Sequence, residues 1–597
     1  MPGLFGAVPC EISLKRKPEL CCDKASGVAS AGPVTVAADA VLHDRGRIDA
    51  QLGSHGYTDA QVILFAWRRW GPECVEHLEG EFAFALWDAR SHSLFCARDR
   101  FGIRPFYYRG DKDGLLFASN LGKLQRPSDS VRDAAVAQFL AGTVFDDDST
   151  FFCEIARLPA AHSLLFRHGE ITLRRYWQLR PAEVPGSAEE RAEEFRHLFL
   201  QAVQEVTSDS SRAKTGALLS GGLDSSSIVC ALTAPDAAQT RPVRTYSLAF
   251  SSKPEWDERS YVNAVLHKGG CESSIYLADG YAPLEHLQDC VMAHGEPFLA
   301  PNLACMQPLL GMARADGLGA MLDGHGGDEV VSHGYGLLDE LFMRRKYRRA
   351  WHECEGAAAN FGQPRGLLFA ALSARHGLPG GRLAARLMMR RGETFGGGRA
   401  NFIAPQFARE AQLAALQSAA RRNPRAGEAE QHIRSLTAPI QTHAFEVMAS
   451  SYARNGMVGR YPFWTRKLVE FCVGVPAQDK LSAGCSRLIM RRALKDLLPS
   501  AVRNRRDKLN FGPALAEGMA RRDGERIDAL LVDGEDALGD YVDLPEVQSA
   551  WQHMRSCPDD TPGHRVQAIW RVVALATWLQ ARGANAASRE RATGYAA

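Results

Sequence analysis

The sequence predicts an α/β protein of more than one domain, and three observations carry that reading. Residues 1 to about 180 hold short alternating or β-branched runs separated by turns, the pattern of a mostly β region. From about 190 the pattern becomes strand then helix, repeated, which argues for a doubly wound parallel sheet with its ligand at the carboxyl ends of the strands. At 597 residues the chain exceeds what a single core fills.

In the first region the runs are Val34–Val36, Phe82–Trp87, Ser93–Ala97, Phe106–Tyr108 and Gly114–Ala118, with turn signals at Asp88–Ser91 and Gly110–Gly114. The polar stretch Pro181–Glu193 marks the boundary. Beyond it, Thr215–Leu219 reads as a buried strand, followed by a glycine turn and a helix from Ser225. Val243–Ala249, Glu272–Tyr276 and Ala320–Leu322 read as further strands, and Glu258–Lys268 as a helix. Residues 340–580 read as mainly helical, with Arg390–Arg399 an exposed loop and Val566–Leu579 a buried helix. The expected division is 1–180, 190–585 and a disordered tail, 586–597.

Hydrophobic content of 45% and charged content of 23% are ordinary for a globular protein, and a net charge of +2 gives no strong pull toward nucleic acid or an anionic membrane. No apolar run approaches the roughly 18 residues that span a bilayer. The opening MPGLFGAVPCEISLKRK has its charges after its apolar run, unlike a signal peptide. The 14 cysteines show no paired zinc spacing. Together these give the expectation of a cytoplasmic protein with reduced thiols and no nucleic-acid or membrane partner.

The chemistry concentrates in ALLSGGLDSSS (217–227). A hydrophobic strand runs into Ser220, Gly221 and Gly222 and then into a helix. Two glycines let the backbone turn sharply and aim amide N–H groups at an anion; the helix N-terminus adds partial positive charge, and the serines add donors. Asp224 is out of place at an anion site unless it holds a Mg²⁺ that bridges phosphates. No lysine follows, so this is not the GxxxxGK(S/T) loop. A second loop, LDGHGGDEV (322–330), ends the fourth strand and supplies Asp328 as the counterpart of Asp224. The competing role for both aspartates is helix capping.

SGGLDSS resembles the pyrophosphate-binding (PP) loop of the ATP pyrophosphatases, and most of the chain resembles the asparagine synthetase family. LEGEFAFALWD (78–88), ARDRFGIRPFY (97–107) and FAS (117–119) are similar to that family's glutaminase domain. DGHGGDE (323–329) takes the place of its second nucleotide loop, and GRYPF (459–463) and RDKLNF (506–511) resemble later blocks. The resemblance implies an N-terminal α+β, Ntn-hydrolase-like domain and a C-terminal PP-loop ATP pyrophosphatase domain with helical additions. It also implies ATP and Mg²⁺ as cofactors and AMP-forming ligation of a carboxylate to an amine. By the same resemblance, Leu218, Phe250 and Gly324 line the adenine and ribose pocket, and Ser220, Gly221, Gly222, Leu223, Asp224, Ser225 and Ser226 form the nucleotide loop. Asp323 stands where the family often has serine. Asp224 and Asp328 are the implied Mg²⁺ ligands. Lys508 is implied to contact the phosphates and stabilise developing charge, with Arg503, Arg505 and Arg506 beside it read as a solvated basic run.

Two departures set the expected reaction. The family's glutaminase nucleophile is a cysteine exposed on removal of Met1; here Pro2 stands in its place, and Cys10 is a poor substitute because it lies inside the first strand region. The family's arginine and Asn-Gly-Glu elements that grip glutamine are also missing from Asp39–Arg45. The domain is therefore expected to be a degenerate glutaminase, with the amine supplied from elsewhere. The GHGGDEVVSHGYG run, the chain length and the helical insertion resemble the lasso peptide cyclases (macrolactam synthetases). That branch implies adenylation of an Asp or Glu side chain in a precursor core peptide and attack by the peptide's N-terminal amine. A leader-peptide protease and a leader-binding protein are its implied partners. The alternative is an asparagine synthetase-like or β-lactam synthetase-like small-molecule ligase using free ammonia or an internal amine.

His325 takes the place of a family glutamate. An imidazole with a pKa of about 6.5 is a base suited to neutral pH, and a peptide α-amine at roughly 7.7–8.0 needs only a weak one. The other role open to His325 is a hydrogen bond to the loop or to AMP. Glu446 is the candidate partner of that base, and His333 is read as structural.

Overall fold

The computed structural model describes residues 4–9, 19–22, 27–53, 55–111, 114–207, 214–234, 242–360, 364–390, 402–419, 426–506 and 510–594. Pro2, Cys10, Lys508 and all but the first residue of Arg390–Arg399 lie outside them.

The N-terminal region holds β1 (Leu4–Pro9), β2 (Glu19–Cys22), β3 (Gly27–Ala31), β4 (Val34–Leu42), β5 (Gly80–Asp88), β6 (Ser93–Arg98), β7 (Tyr107–Asp111), β8 (Gly114–Ala118), β9 (Ala156–Arg157), β10 (His162–Arg167) and β11 (Glu170–Arg175). They form two antiparallel sheets, ordered β2-β1-β8-β7-β9 and β11-β10-β6-β5-β4-β3. Strand β5 shows why its sequence is an unbroken apolar run. Ala83, Ala85 and Trp87 share one core with Leu4, Leu115 and Phe117 of the other sheet. The alternate residues Phe82, Phe84 and Leu86 share a second core with Val62 and Ile63 of the helix Asp59–Trp70. A strand covered on both faces loses its polar alternation.

The C-terminal region is built on β12 (Thr215–Leu218), β13 (Val243–Ala249), β14 (Cys271–Leu277), β15 (Ala320–Leu322) and β16 (Val458–Arg460). All four pairings are parallel, in the order β14-β13-β12-β15-β16. The order reverses direction between β12 and β15, which opens the crevice where doubly wound sheets bind ligands.

Two expectations change. The stretch Pro181–Glu193, read as the boundary, already starts a helix, Ala188–Thr207, whose Phe195 and Phe199 are fully buried. The final helix runs from Gly563 to Gly594, so most of the expected tail 586–597 is helical, as its alanines favour; residues 595–597 lie outside the description. The two regions also share a core: Phe151 and Phe152 pack edge-on against Trp578 at 5.4 and 5.9 Å, and Arg571 Nε donates to the Leu140 carbonyl at 2.9 Å. Among the described residues no helix is long and apolar enough to cross a membrane.

Candidate active site

The two loops singled out in the sequence leave the carboxyl ends of the neighbouring strands β12 and β15. A cavity of about 1040 Å³ opens between them, lined by Leu218, Ser220, Gly222, Leu223, Asp224, Ser225, Phe250, Asp323, Gly324 and Asp328 with residues from the helical part. Gly221 and Ser226 do not line it. Gly221 makes the turn itself, at φ +74°, and a Cβ there would lie 2.7 Å from the Cβ of Tyr261. Ser226 is buried in the helix Leu223–Leu232. Ser225 Oγ accepts from the Ser220 amide at 3.1 Å and Ser220 Oγ from the Gly222 amide at 3.3 Å, fastening the turn to the helix.

Asp224 and Asp328 converge. One nitrogen of Arg487, Nη1, lies 2.6 Å from Asp224 Oδ1 and 2.7 Å from Asp328 Oδ1. Neither aspartate caps its helix: Gly222 and Gly326 hold the N-cap positions, without side-chain cap bonds. The loops touch so closely that a Cβ on Gly327 would fall 2.2 Å from Asp224 Cγ. The glycines of the second loop therefore let one loop meet the other. Gly327→Ala should displace the Asp224 carboxylate at an overpacking cost of about 1–3 kcal/mol, lowering affinity for ATP with Mg²⁺ by roughly tenfold or more in a calorimetric titration. Unchanged affinity would mean that the loop contact does not set the site.

The donor set fits Mg²⁺, since two hard carboxylates from two loops meet at a point that already holds a cationic group. The charges along the cavity support this. Among the described residues Arg487, Arg491, Arg505 and Arg506 face Asp224, Glu258, Asp323 and Asp328. A wall of balanced charge suits a polyanion that arrives with its own cation better than a bare anion.

Arg505 corrects the solvated-run reading. Its side chain is 6% exposed, pairs with Glu258 at 2.6 Å, donates to the Gly221 carbonyl at 3.4 Å and lies over the Tyr261 ring at 4.1 Å. It is built into the PP-like loop. Arg487 and Arg491 were missed. The available signal was a pair of arginines four residues apart opening a helix just after Gly484, in GCSRLIMR (484–491).

His325 is not on the cavity wall. Its ring stacks on Trp464 with centroids 6.2 Å apart and meets Phe445 edge-on at 5.2 Å and Tyr461 at 6.2 Å. Nε2 has no hydrogen-bond partner among the described residues, and the backbone amide binds Asp323 Oδ1 at 2.9 Å. The imidazole packs behind the loop. The histidine in the cavity is His333, whose Nε2 lies 3.6 Å from Asp328 Oδ1 and whose ring stacks on Tyr335 at 5.7 Å. Its loop is clamped from below. Glu428 accepts from Ser332 Oγ at 2.6 Å and from the Gly336 amide at 2.9 Å, while the fully buried Lys480 reaches Glu428 at 3.3 Å and His432 Nδ1 at 3.1 Å. Burial and the Lys480 charge hold the His432 imidazole neutral, its pKa down at about 3.

Glu446 is far from the role of partner to His325. It is buried between Arg157, at 2.7 Å, and Arg98, at 3.0 Å, both from the N-terminal sheets. Burial alone would raise its pKa, but the two guanidiniums outweigh burial and hold it at about 2. Close by, His294, Glu296 and His443 form the only group of three such residues spaced for a metal among the described residues. Arg157 takes one Glu296 oxygen at 2.5 Å and the Phe151 amide the other at 2.6 Å, so the carboxylate is occupied and its counter-charge supplied. The cluster is a structural joint.

Fold and site thus define a doubly wound α/β protein with a two-aspartate centre at its switch point, joined to an N-terminal pair of antiparallel sheets. Residues 194–580 match the asparagine synthase family and residues 47–177 the glutamine amidotransferase domain. The first match spans more than half the chain, and the protein belongs to the asparagine synthase family. The chain is 27% identical to the glutamine-hydrolyzing asparagine synthetase 3 of Bacillus subtilis, over 41% of this chain and 42% of that protein. It is 28% identical to a putative asparagine synthetase 2 of Methanocaldococcus jannaschii, over 48% and 55%. It is 23% identical to a putative asparagine synthetase of Mycobacterium bovis, over 87% and 79%. The chain spans about half the length of the first two relatives.

Proposed function

We propose that the protein is an ATP- and Mg²⁺-dependent, AMP-forming ligase whose substrate is a peptide. An Asp or Glu side chain of the peptide attacks the α-phosphorus of ATP and releases pyrophosphate. The peptide's own N-terminal amine then attacks the acyl adenylate, releasing AMP and a proton and leaving an isopeptide-bonded ring. Amides of the Ser220–Ser225 loop other than those of Ser220 and Gly222, with Arg491 and Arg505, hold the phosphates, and Asp224 and Asp328 would hold the Mg²⁺, which would neutralise phosphate charge. Lys508 keeps the phosphate role implied by its block.

The observation that carries the peptide reading is the space beyond the nucleotide loops. The cavity continues to Gly356, Ala359 and Asn360 on the helix Tyr347–Asn360. A second cavity of about 660 Å³ shares Asp328, His333 and Tyr335 with it. Sites for one small ligand run to about 300–1,000 Å³, so the pair accommodates a nucleotide and a large second substrate. The N-terminal region supports an amine that does not come from glutamine. Arg45 is spent on Asp59 and the Tyr57 carbonyl, and Arg104 on Glu81 and Asp39. A free N-terminus must exist before the ring closes, so a peptidase that removes a leader acts first, and a leader-binding protein fits the same sequence of steps.

The small-molecule reading, with ammonia or an internal amine as nucleophile, is favoured by the names of the relatives above. One assay separates the two: full-length protein, ATP, Mg²⁺ and a leader-free peptide with an N-terminal glycine and an acid several residues on. The expected result is loss of one water from the peptide with AMP and pyrophosphate formed. Conversion of aspartate to asparagine with no cyclised peptide would overturn the peptide reading.

A further inference from the structure

Arg487 sits on both aspartates of the site, and the proposed reaction gives it no role. Its backbone is left-handed, at φ +53°, a conformation that non-glycine residues rarely adopt and that persists only where surrounding structure holds it. The side chain is 11% exposed, and a single nitrogen serves both aspartates. Its Nε is buried without a hydrogen-bond partner among the described residues. The guanidinium is therefore held chiefly by the two carboxylates, on the point where they converge.

We propose that Arg487 is an internal counter-cation: it closes the Asp224–Asp328 pair to free divalent ions and yields the pair only when nucleotide phosphates arrive to receive its guanidinium. Two carboxylates fixed this close need a cation, and the Arg487 guanidinium supplies it. A free divalent ion must displace the guanidinium without bringing it a new anion. A nucleotide that carries its own ion brings both the replacement cation and an anion for the arginine, whose planar fork matches phosphate oxygens. The consequence is ordered loading, with metal and nucleotide entering together. This inference rests on the assignment of Asp224 and Asp328 as metal ligands.

The test is Mn²⁺ binding to the full-length protein, followed by the electron paramagnetic resonance signal of the free ion, with and without α,β-methylene-ATP. With the Mn²⁺ taken up by the same analogue in the absence of protein subtracted, wild type should bind Mn²⁺ at least about tenfold more tightly with the analogue than without, inside the usual range of coupling between sites. Arg487→Met should gain about tenfold in Mn²⁺ affinity without nucleotide, and Arg487→Met with Asp224→Asn should lose that gain. Equal Mn²⁺ affinity of wild type with and without the analogue overturns the inference and needs no variant. So does an Arg487→Met protein with wild-type melting behaviour and no gain. If the analogue-bound wild type holds Mn²⁺ no better than Asp224→Asn/Asp328→Asn, the metal assignment itself falls.

Discussion

Asp224→Asn and Asp328→Asn are each expected to reduce ATP-dependent AMP formation on the order of 10²-fold or more while leaving the fold intact. The magnitude is that of removing one fixed charge-stabilising group from a site where phosphate charge develops. The substitutions keep side-chain volume, and neither residue caps its helix, so no helix end is lost. Each variant still leaves Arg487 one aspartate, so the buried guanidinium keeps a partner. The measurement is AMP release beside a thermal melt of the same preparation. Loss of activity together with a collapsed melt would place the aspartates in the scaffold. Full activity in either variant would remove the two-carboxylate centre.

The same geometry shows what the sequence could and could not disclose. β13 and β15 were legible to the residue because buried parallel strands are short apolar runs bounded by turns. β16 was not: a three-residue strand has no period, and Val458–Arg460 becomes a strand only by pairing with β15. The PP-like loop was legible because strand, glycine pair and helix are contiguous. Arg487, about 260 positions further on, joins it only through the fold. His325 failed for a related reason. Its place in the loop was read from the motif, but the direction of its ring is set by Phe445, Tyr461 and Trp464, more than a hundred residues away. The block ARDRFGIRPFY has a local physical cause: Asp99 accepts the amides of Phe101, Ile103 and Arg104, and Arg98 donates to the carbonyls of Gly102, Arg104 and Leu158. Those residues hold a turn together, which is what a domain retains when it keeps its shape.

Glu446→Ala is expected to be the most destabilising of the substitutions considered, by roughly 3–5 kcal/mol, because it removes one partner from a buried ion cluster: Arg98 loses its carboxylate and Arg157 keeps only Glu296. For a chain of this size melting as one unit, that is a fall in melting temperature on the order of 3 °C. Glu446 joins the helix Pro439–Arg454 to the N-terminal sheets, so the loss loosens the joint between regions. The pH dependence has a definite sign. A carboxylate held at about 2 in the folded protein contributes stability that is fully present above its ordinary value of 4.5 and is lost as pH falls through that window toward 2. The acid-side loss of stability between about pH 4.5 and 2 should therefore be shallower in Glu446→Ala than in wild type. A catalytic partner of His325 would behave otherwise: its removal would lower turnover with melting unchanged, and the isosteric Glu446→Gln would be as inactive as Glu446→Ala. Melts of both variants at neutral and acid pH, set against AMP release, separate the joint from the base, and wild-type melting in Glu446→Ala would remove the joint.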